Sequence, residues 1–356
     1  MHKRLFIPGP TEANPEVLEK QGKPLIGHRP KEFTELYTGI IDKIQKFHKT
    51  EQWATALTAS GTLFMDITGR AIVKEKALCG VNGAFSKRCA DTIKACGKEI
   101  DVIDVEWGKA VKPDMIMEKL DSGKYDTLCL CHNETSTGVR NPIEEIGKAV
   151  KKDYPDIMYV IDSVSAMGGD TVIPEKIQCD LIYASTQKCY ALPPGLAIGL
   201  VSDAAIKRAE EVPNRGRYTD ILGIYKYYQK KQQTPSTPNV SLLYALDYQL
   251  DLMLKETSEG RFQRHKDMAE WTQKWAKKYF EMFPEPGYES VTVSTIKNTK
   301  GKSVADLNKE LAKVNIMISN GYGDLKEKTF RIGHMGEWTV ADIKEVCEHI
   351  ERIWEL

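Results

Sequence analysis

Tyr183-Ala184-Ser185-Thr186-Gln187-Lys188-Cys189-Tyr190-Ala191-Leu192-Pro193-Pro194-Gly195 is the stretch around which the chain is organised. The run Asp180-Leu181-Ile182-Tyr183 that enters it predicts a short buried strand ending in small polar residues. One lysine follows, and then a Pro-Pro-Gly break. A lysine delivered from a strand end into such a turn is held in place. Partial burial lowers the pKa of its amine and leaves it able to attack a carbonyl, as Schiff-base chemistry requires. In a chain with 50 Lys+Arg an arbitrary lysine is a solvated surface group. Lys188 is set apart by the motifs before and after it.

Outward from Lys188, compact apolar runs alternate with amphipathic stretches. Residues 195–201, 157–161, 127–131 and 99–105 read as strands, and Cys79-Gly80-Val81-Asn82-Gly83-Ala84-Phe85 leads into a helix. Continuous apolar strands joined by helices predict an α/β fold with a mostly parallel sheet covered on both faces. Such sheets bind ligands at the carboxyl ends of their strands. His132-Asn133-Glu134-Thr135, Asp162-Ser163-Val164-Ser165 and Lys188 each follow a predicted strand.

Phe33, Leu36, Tyr37, Ile40, Ile41, Ile44 and Phe47 recur at helical spacing and predict a core-facing stripe. Residues 55–65 read as strand, small-residue turn and helix. Ser60-Gly61-Thr62 would there present backbone N–H groups and two hydroxyls to an anion, or Ser60 would simply cap the helix. Residues 1–31, rich in Pro and Gly, read as extended chain with no element of their own. After residue 201 the chain turns basic and aromatic. Thr234-Pro235-Ser236-Thr237-Pro238-Asn239 then precedes an apolar helix near 240–254. A charged helix near 258–280 leads through Phe283-Pro284-Glu285-Pro286-Gly287 to a strand near 290–296, a helix near 303–313, a strand at 329–333 and a final helix. The expected division is an N-terminal arm (1–20), a large domain (21–257), and a helix with a smaller α+β domain (258–356).

Length and composition agree with two domains of ordinary globular type: 356 residues, 41% apolar and 28% charged. Lys+Arg and Asp+Glu balance at 50 each, so no field favours nucleic acid or an anionic membrane. No apolar run approaches the ~20 residues of a membrane span. Pro8-Gly9-Pro10 interrupts before a signal-peptide core could form. The eight cysteines lack paired CxxC spacing and several sit in apolar runs, predicting buried, reduced thiols and a cytoplasmic protein. Cys189, beside Lys188, is the thiol closest to the chemistry. No metal site is expected.

A pyridine cofactor linked to a lysine makes defined demands. Its ring nitrogen needs a carboxylate, for which Asp162 at a strand end is the candidate. Its ring needs an aromatic face and an apolar contact, which Phe85 and Val164 could supply. Its phosphate needs the Ser60-Gly61-Thr62 cradle. A substrate carboxylate needs a bidentate cation, and Arg331 in Phe330-Arg331-Ile332-Gly333 offers one.

These stretches, together with Ile7-Pro8-Gly9-Pro10-Thr11, Gly27-His28-Arg29-Pro30, His132-Asn133-Glu134-Thr135-Ser136-Thr137-Gly138, Gln187-Lys188 and Thr234-Pro235-Ser236-Thr237-Pro238, run in order from residue 5 to residue 336. The chain thereby resembles a class V, fold-type I pyridoxal-phosphate aminotransferase of the alanine–glyoxylate or serine–pyruvate type. The resemblance implies pyridoxal 5′-phosphate joined to Lys188, which also shuttles the proton, and Asp162 on the pyridine nitrogen. It implies Thr135 by the ring oxygen, Phe85 and Val164 on the ring faces, and Ser60, Gly61, Thr62 and Gln187 on the phosphate. Arg331 would clamp the substrate carboxylate beside the backbone of Pro8 and Gly9. Thr237 would reach the phosphate from a partner subunit, so a homodimer with shared sites is implied; Thr234 stands where some relatives carry Tyr.

The implied reaction moves an amino group from alanine or serine to glyoxylate or pyruvate, with aspartate and 2-oxoglutarate as the alternative pair. An acidic donor would need a second cation, for which His28, Arg29, Arg215 and Arg217 are candidates. A cysteine desulfurase would need a mobile late cysteine, whereas Cys347 falls within an amphipathic terminal helix. A non-catalytic relative would have lost Lys188, Asp162 or Arg331, and all three are present.

Overall fold

The computed structural model describes residues 2–356; Met1, the first residue of the expected arm, lies outside the described residues. The arm is not free of elements. Arg4–Phe6 forms β1 and Pro15–Lys20 forms α1. Three residues are too few to show a period, and β1 takes its bonds from a partner 312 positions away, pairing in parallel with residues 316–318. Phe6 anchors it by stacking on Trp338 at 4.0 Å. Asn14 starts α1 by accepting from the Glu16 N–H at 3.0 Å, with Pro15 at the first helical position.

Helix α2 (Lys31–His48) buries Phe33, Tyr37, Ile40, Ile41, Ile44 and Phe47 of the predicted stripe, with Leu36 partly buried against the same core, and ends at Lys49 in a left-handed conformation. Each such buried side chain contributes roughly 1.5–3 kcal/mol. The stripe packs on the helix Val240–Glu256.

The central sheet contains β2 (Trp53–Thr58), β3 (Lys76–Val81), β4 (Glu99–Asp104) and β5 (Thr127–Cys131). A two-stranded hairpin, β6 (Asn133–Glu134) and β7 (Val139–Arg140), follows β5. The sheet continues with β8 (Met158–Asp162), β9 (Leu181–Ser185) and β10 (Leu196–Val201). The order is β2-β10-β9-β8-β5-β3-β4, with β10 antiparallel to both neighbours and the β9-to-β4 pairs parallel. Leu181 and Tyr183 point into one apolar cluster, Ile182 and Ala184 into the other. Two-residue alternation thus serves two cores, and continuous apolarity marks a sheet covered on both faces.

Helix α3 (Thr62–Ile67) follows β2, and α4 (Ala84–Ala95) follows β3. Past the 22-residue helix Ser258–Tyr279 come β11 (Glu281–Met282), β12 (Val293–Lys297), β13 (Ile316–Asn320) and β14 (Thr329–Gly333). They form a second sheet, β1-β13-β14-β12-β11, so both ends of the chain build the smaller unit. β12 begins later than expected because the Ser290 hydroxyl ties the N–H groups of Thr292 and Val293 into a turn. Helices Val304–Lys313 and Val340–Trp354 cover this sheet over a core that includes Phe280, Phe330, Ile332, Val346 and Trp354. No helix among the described residues is long and apolar enough to cross a membrane.

Candidate active site

The carboxyl ends of β2, β5, β8 and β9 open into a cavity of about 380 Å³, large enough for a cofactor with a small substrate. Gly9, Ser60, Gly61, Thr62, Phe85, Thr135, Asp162, Val164, Gln187 and Lys188 line it, bringing together residues named from six separate stretches of sequence. Pro8 meets it through its carbonyl, and Arg331 lies behind Thr135.

Lys188 follows β9 by three residues in a tight turn closed by the Ala191 N–H on the Lys188 carbonyl at 2.8 Å. Ala191 takes a positive φ of 53°, a local strain that surrounding contacts hold. Tyr190 bonds to His48 at 2.7 Å, and the buried Arg261 guanidinium donates to the Cys189 carbonyl at 2.7 Å. The Lys188 ammonium donates to the Pro8 carbonyl. Burial pushes its pKa down to about 8. The neighbouring Cys189 is buried among Val293 and Met335, and burial pushes its thiol up to about 12, so it is a packed group and not a nucleophile.

Asp162 is the last residue of β8. Among the described residues its carboxylate accepts one hydrogen bond, from the Val164 N–H at 2.9 Å. Burial pushes its pKa up to about 7, with Glu134 acting in the same sense and the Val164 N–H, Lys188 and Arg88 against it. A buried carboxylate with so little to stabilise its charge fits a cationic ring nitrogen. The next residue is held by a chain of polar groups: Ser163 bonds to His132 at 3.1 Å, and His132 to Asp170 at 3.2 Å. Burial raises the Asp170 carboxyl, but His132 and Arg140 outweigh it and hold the group well below the usual carboxylate range.

Helix α4 lacks a side-chain cap of its own; its N-cap residue is Gly83. Glu134, fully buried on β6, supplies the cap from outside. It accepts from the N–H of Phe85 at 3.1 Å and of Ser86 at 2.8 Å, and from the Ser86 and Ser136 hydroxyls at 2.8 and 2.6 Å. A carboxylate at a helix start gains from both the free N–H groups and the dipole. Phe85 thereby stands at the cavity wall, 5.4 Å from the Tyr322 ring.

On the opposite wall, Gly61 lies against Val164: a Cβ there would sit 2.6 Å from a Val164 methyl. The Gly61 N–H donates to Ser185 Oγ at 3.2 Å, and that hydroxyl donates to Gln187 at 2.6 Å. Ser60, Gly61 and Thr62 therefore enter α3 as a compact polar corner suited to a phosphate.

Arg331, on β14, is buried and donates to the Asn320 carbonyl at 3.1 and 3.2 Å and to the Thr135 carbonyl at 3.1 Å. Burial brings its pKa down to about 10, with Tyr322 and Glu134 opposing. Thr135 donates to Ser165 at 2.7 Å. Thr237 is outside this cavity; it lines a separate groove with Arg217 and Tyr218, and its hydroxyl meets His28 at 3.4 Å.

The four second-cation candidates of the sequence do not line the cavity. Arg29 donates to the carbonyls of Thr234 and Pro235, Arg215 pairs with Asp220 at 2.7 Å, Arg217 faces the separate groove and His28 meets Thr237. Arg88 lines the cavity instead, with Tyr322. Neither was singled out from sequence, although Arg88 follows Phe85 by three residues and so shares its helix face. Cys347 is buried in the core of the smaller unit.

The residues present fit pyridoxal phosphate: an amine of lowered pKa, a buried carboxylate, an aromatic wall and a polar corner converge on one cavity. The family model for class-V aminotransferases matches residues 9–327. An uncharacterized aminotransferase of Methanocaldococcus jannaschii is 42% identical over 342 residues, covering 94% of this chain and 88% of that protein. The alanine–glyoxylate aminotransferase of Nostoc sp. superposes with a TM-score of 0.92 at 25% identity, covering 99% of this chain and 96% of the other. A Thermus thermophilus aspartate aminotransferase superposes with a TM-score of 0.89 at 25% identity, covering 98% of each. The chain belongs to the class-V aminotransferases, enzymes of fold type I whose cofactor is pyridoxal phosphate.

Proposed function

We propose that this enzyme moves the amino group of a small L-amino acid (alanine, serine or aspartate) to glyoxylate or pyruvate, by two half-reactions sharing one site. The observation that carries this reading is the convergence of the Lys188 amine, with its pKa near 8, and the buried Asp162 carboxylate on one cavity.

When bound, pyridoxal phosphate supplies a carbonyl for the amine and an electron sink for the substrate Cα–H bond. Lys188 would anchor it and, as the proton carrier, would take the proton from the substrate Cα and deliver it again during the transfer, a task suited to an amine whose pKa burial lowers to about 8. Asp162 would hold the ring nitrogen protonated. Phe85, carried by the Glu134-capped helix, and Val164 would confine the ring, and Thr135 would sit by its oxygen. Ser60, Gly61, Thr62 and Gln187 would hold the phosphate. Arg331 orients the α-carboxylate, its fork already aligned by two backbone carbonyls. The backbone of Pro8 and Gly9 closes that side. Thr237, outside its own cavity, serves the site of a second copy in a homodimer. The eight cysteines, all free thiols, suit the reducing cytoplasm.

The test is the near-visible absorbance of the cofactor-loaded protein before and after L-alanine, L-serine, L-aspartate or L-cysteine. Bleaching with one of the first three, reversed by glyoxylate or pyruvate, supports the reading. Bleaching with cysteine alone, with sulfide released, replaces it by a desulfurase.

A further inference from the structure

Two guanidinium groups meet at the Tyr322 side chain. Arg331 lies 5.6 Å from its ring centroid, and Arg88 donates to its hydroxyl at 3.4 Å. Arg88 also lies over the Phe85 ring at 4.9 Å, so ring and hydroxyl together hold it at the cavity wall. Neither guanidinium pairs with a carboxylate among the described residues; their hydrogen bonds go to neutral oxygens. The buried carboxylate of Glu134 is engaged by Phe85, Ser86 and Ser136. The field of Arg88 nevertheless reaches inward, lowering the pKa of both Lys188 and Asp162.

The cavity thus holds more positive charge than its own carboxylates balance. The phosphate corner is on other elements, at the start of α3 and beside Gln187. A substrate with one carboxylate satisfies Arg331 and leaves Arg88 facing water. A substrate with a carboxylate at each end satisfies both, with Tyr322 between them. We propose that Arg88, oriented by Phe85 and Tyr322, binds the side-chain carboxylate of an acidic donor, so that the enzyme prefers a short dicarboxylic amino acid such as L-aspartate over alanine or serine. This rests on the transaminase reading above and selects among its donors. The fork of Arg88 offers paired donors to that carboxylate, a geometry that lysine lacks.

The experiment uses the cofactor-loaded enzyme and its Arg88→Gln and Arg88→Lys variants. It measures kcat/KM for L-aspartate and L-alanine with glyoxylate, and calorimetric binding of succinate, a dicarboxylate without an amino group. The expected aspartate-to-alanine ratio is about tenfold or more in the parent enzyme, falling by about tenfold or more in Arg88→Gln, with succinate binding weakened by a similar factor. Arg88→Lys should recover part of both. A parent ratio below one, or a ratio and succinate affinity that Arg88→Gln does not move, overturns the proposal. If no amino acid changes the cofactor absorbance, the transaminase reading fails; the succinate titration then still decides whether Arg88 binds a dicarboxylate.

Discussion

Glu134 accepts a hydrogen bond from the backbone N–H of Phe85 at 3.1 Å, across 49 residues of sequence, and another from the adjacent Ser86 N–H at 2.8 Å. The start of α4, and with it the aromatic wall, depends on a carboxylate from another element. Replacing Glu134 with Ala leaves those N–H groups and two hydroxyls without their acceptor. The expected cost is about 1–3 kcal/mol, read as a lower thermal midpoint together with weaker cofactor retention. An unchanged midpoint and retention would show that water caps α4 equally well.

Asp162 carries a cost in the cofactor-free protein. Its folded pKa, about 7, lies above the ordinary value of 3.8, so its contribution to stability is present at low pH and is lost as pH rises through 7. Asp162→Asn should therefore raise the thermal midpoint of the apo protein at pH 8 and leave it nearly unchanged near pH 4. Turnover of the loaded variant should fall by about a hundredfold or more, as for other buried charges aimed at a reacting group. A variant less stable than the parent at pH 8 would contradict the assignment of its raised pKa to burial.

Gly9 has φ +99°, and a Cβ there would lie 2.6 Å from Lys188 Nζ. Gly9→Ala should displace the lysine or the arm, combining left-handed strain with a direct clash. Slower cofactor uptake is the expected result, measured as the growth of near-visible absorbance when pyridoxal phosphate is added. Uptake at the parent rate would mean that the arm yields without moving Lys188.

Arg331→Lys keeps the charge and loses the fork. The KM for the amino donor should rise by about tenfold or more, with a smaller change in kcat, because the guanidinium binds the carboxylate before and during the chemistry alike. Steady-state kinetics with each donor would show this; a loss confined to kcat would place Arg331 elsewhere in the reaction.

Much of the site was legible because its residues sit where a buried strand stops. Lys188, Asp162 and Ser60-Gly61-Thr62 each announce themselves as a polar residue closing an apolar run, and the structure gathers them in one cavity. Arg88 was not legible: helical spacing puts it on the face of Phe85, but nothing local says that this end of the face borders the cavity. Tyr322 lies in the connection after β13, whose position depends on the packing of the second sheet. Glu134 was visible only as part of a motif, since its partner helix lies far along the chain. β1 escaped for the same reason, its hydrogen bonds coming from residues 316–318.

The central claim is that Lys188 is an amine tuned for carbonyl chemistry, and the most direct measurement is the rate of pyridoxal phosphate uptake by the apo protein as a function of pH. Burial holds the folded pKa below the ordinary 10.5, so the reactive neutral amine should accumulate as pH rises through about 8. The account predicts a rate that reaches half its maximum near pH 8 and is abolished in Lys188→Ala. A midpoint near 10.5, or covalent uptake that survives Lys188→Ala, would contradict it.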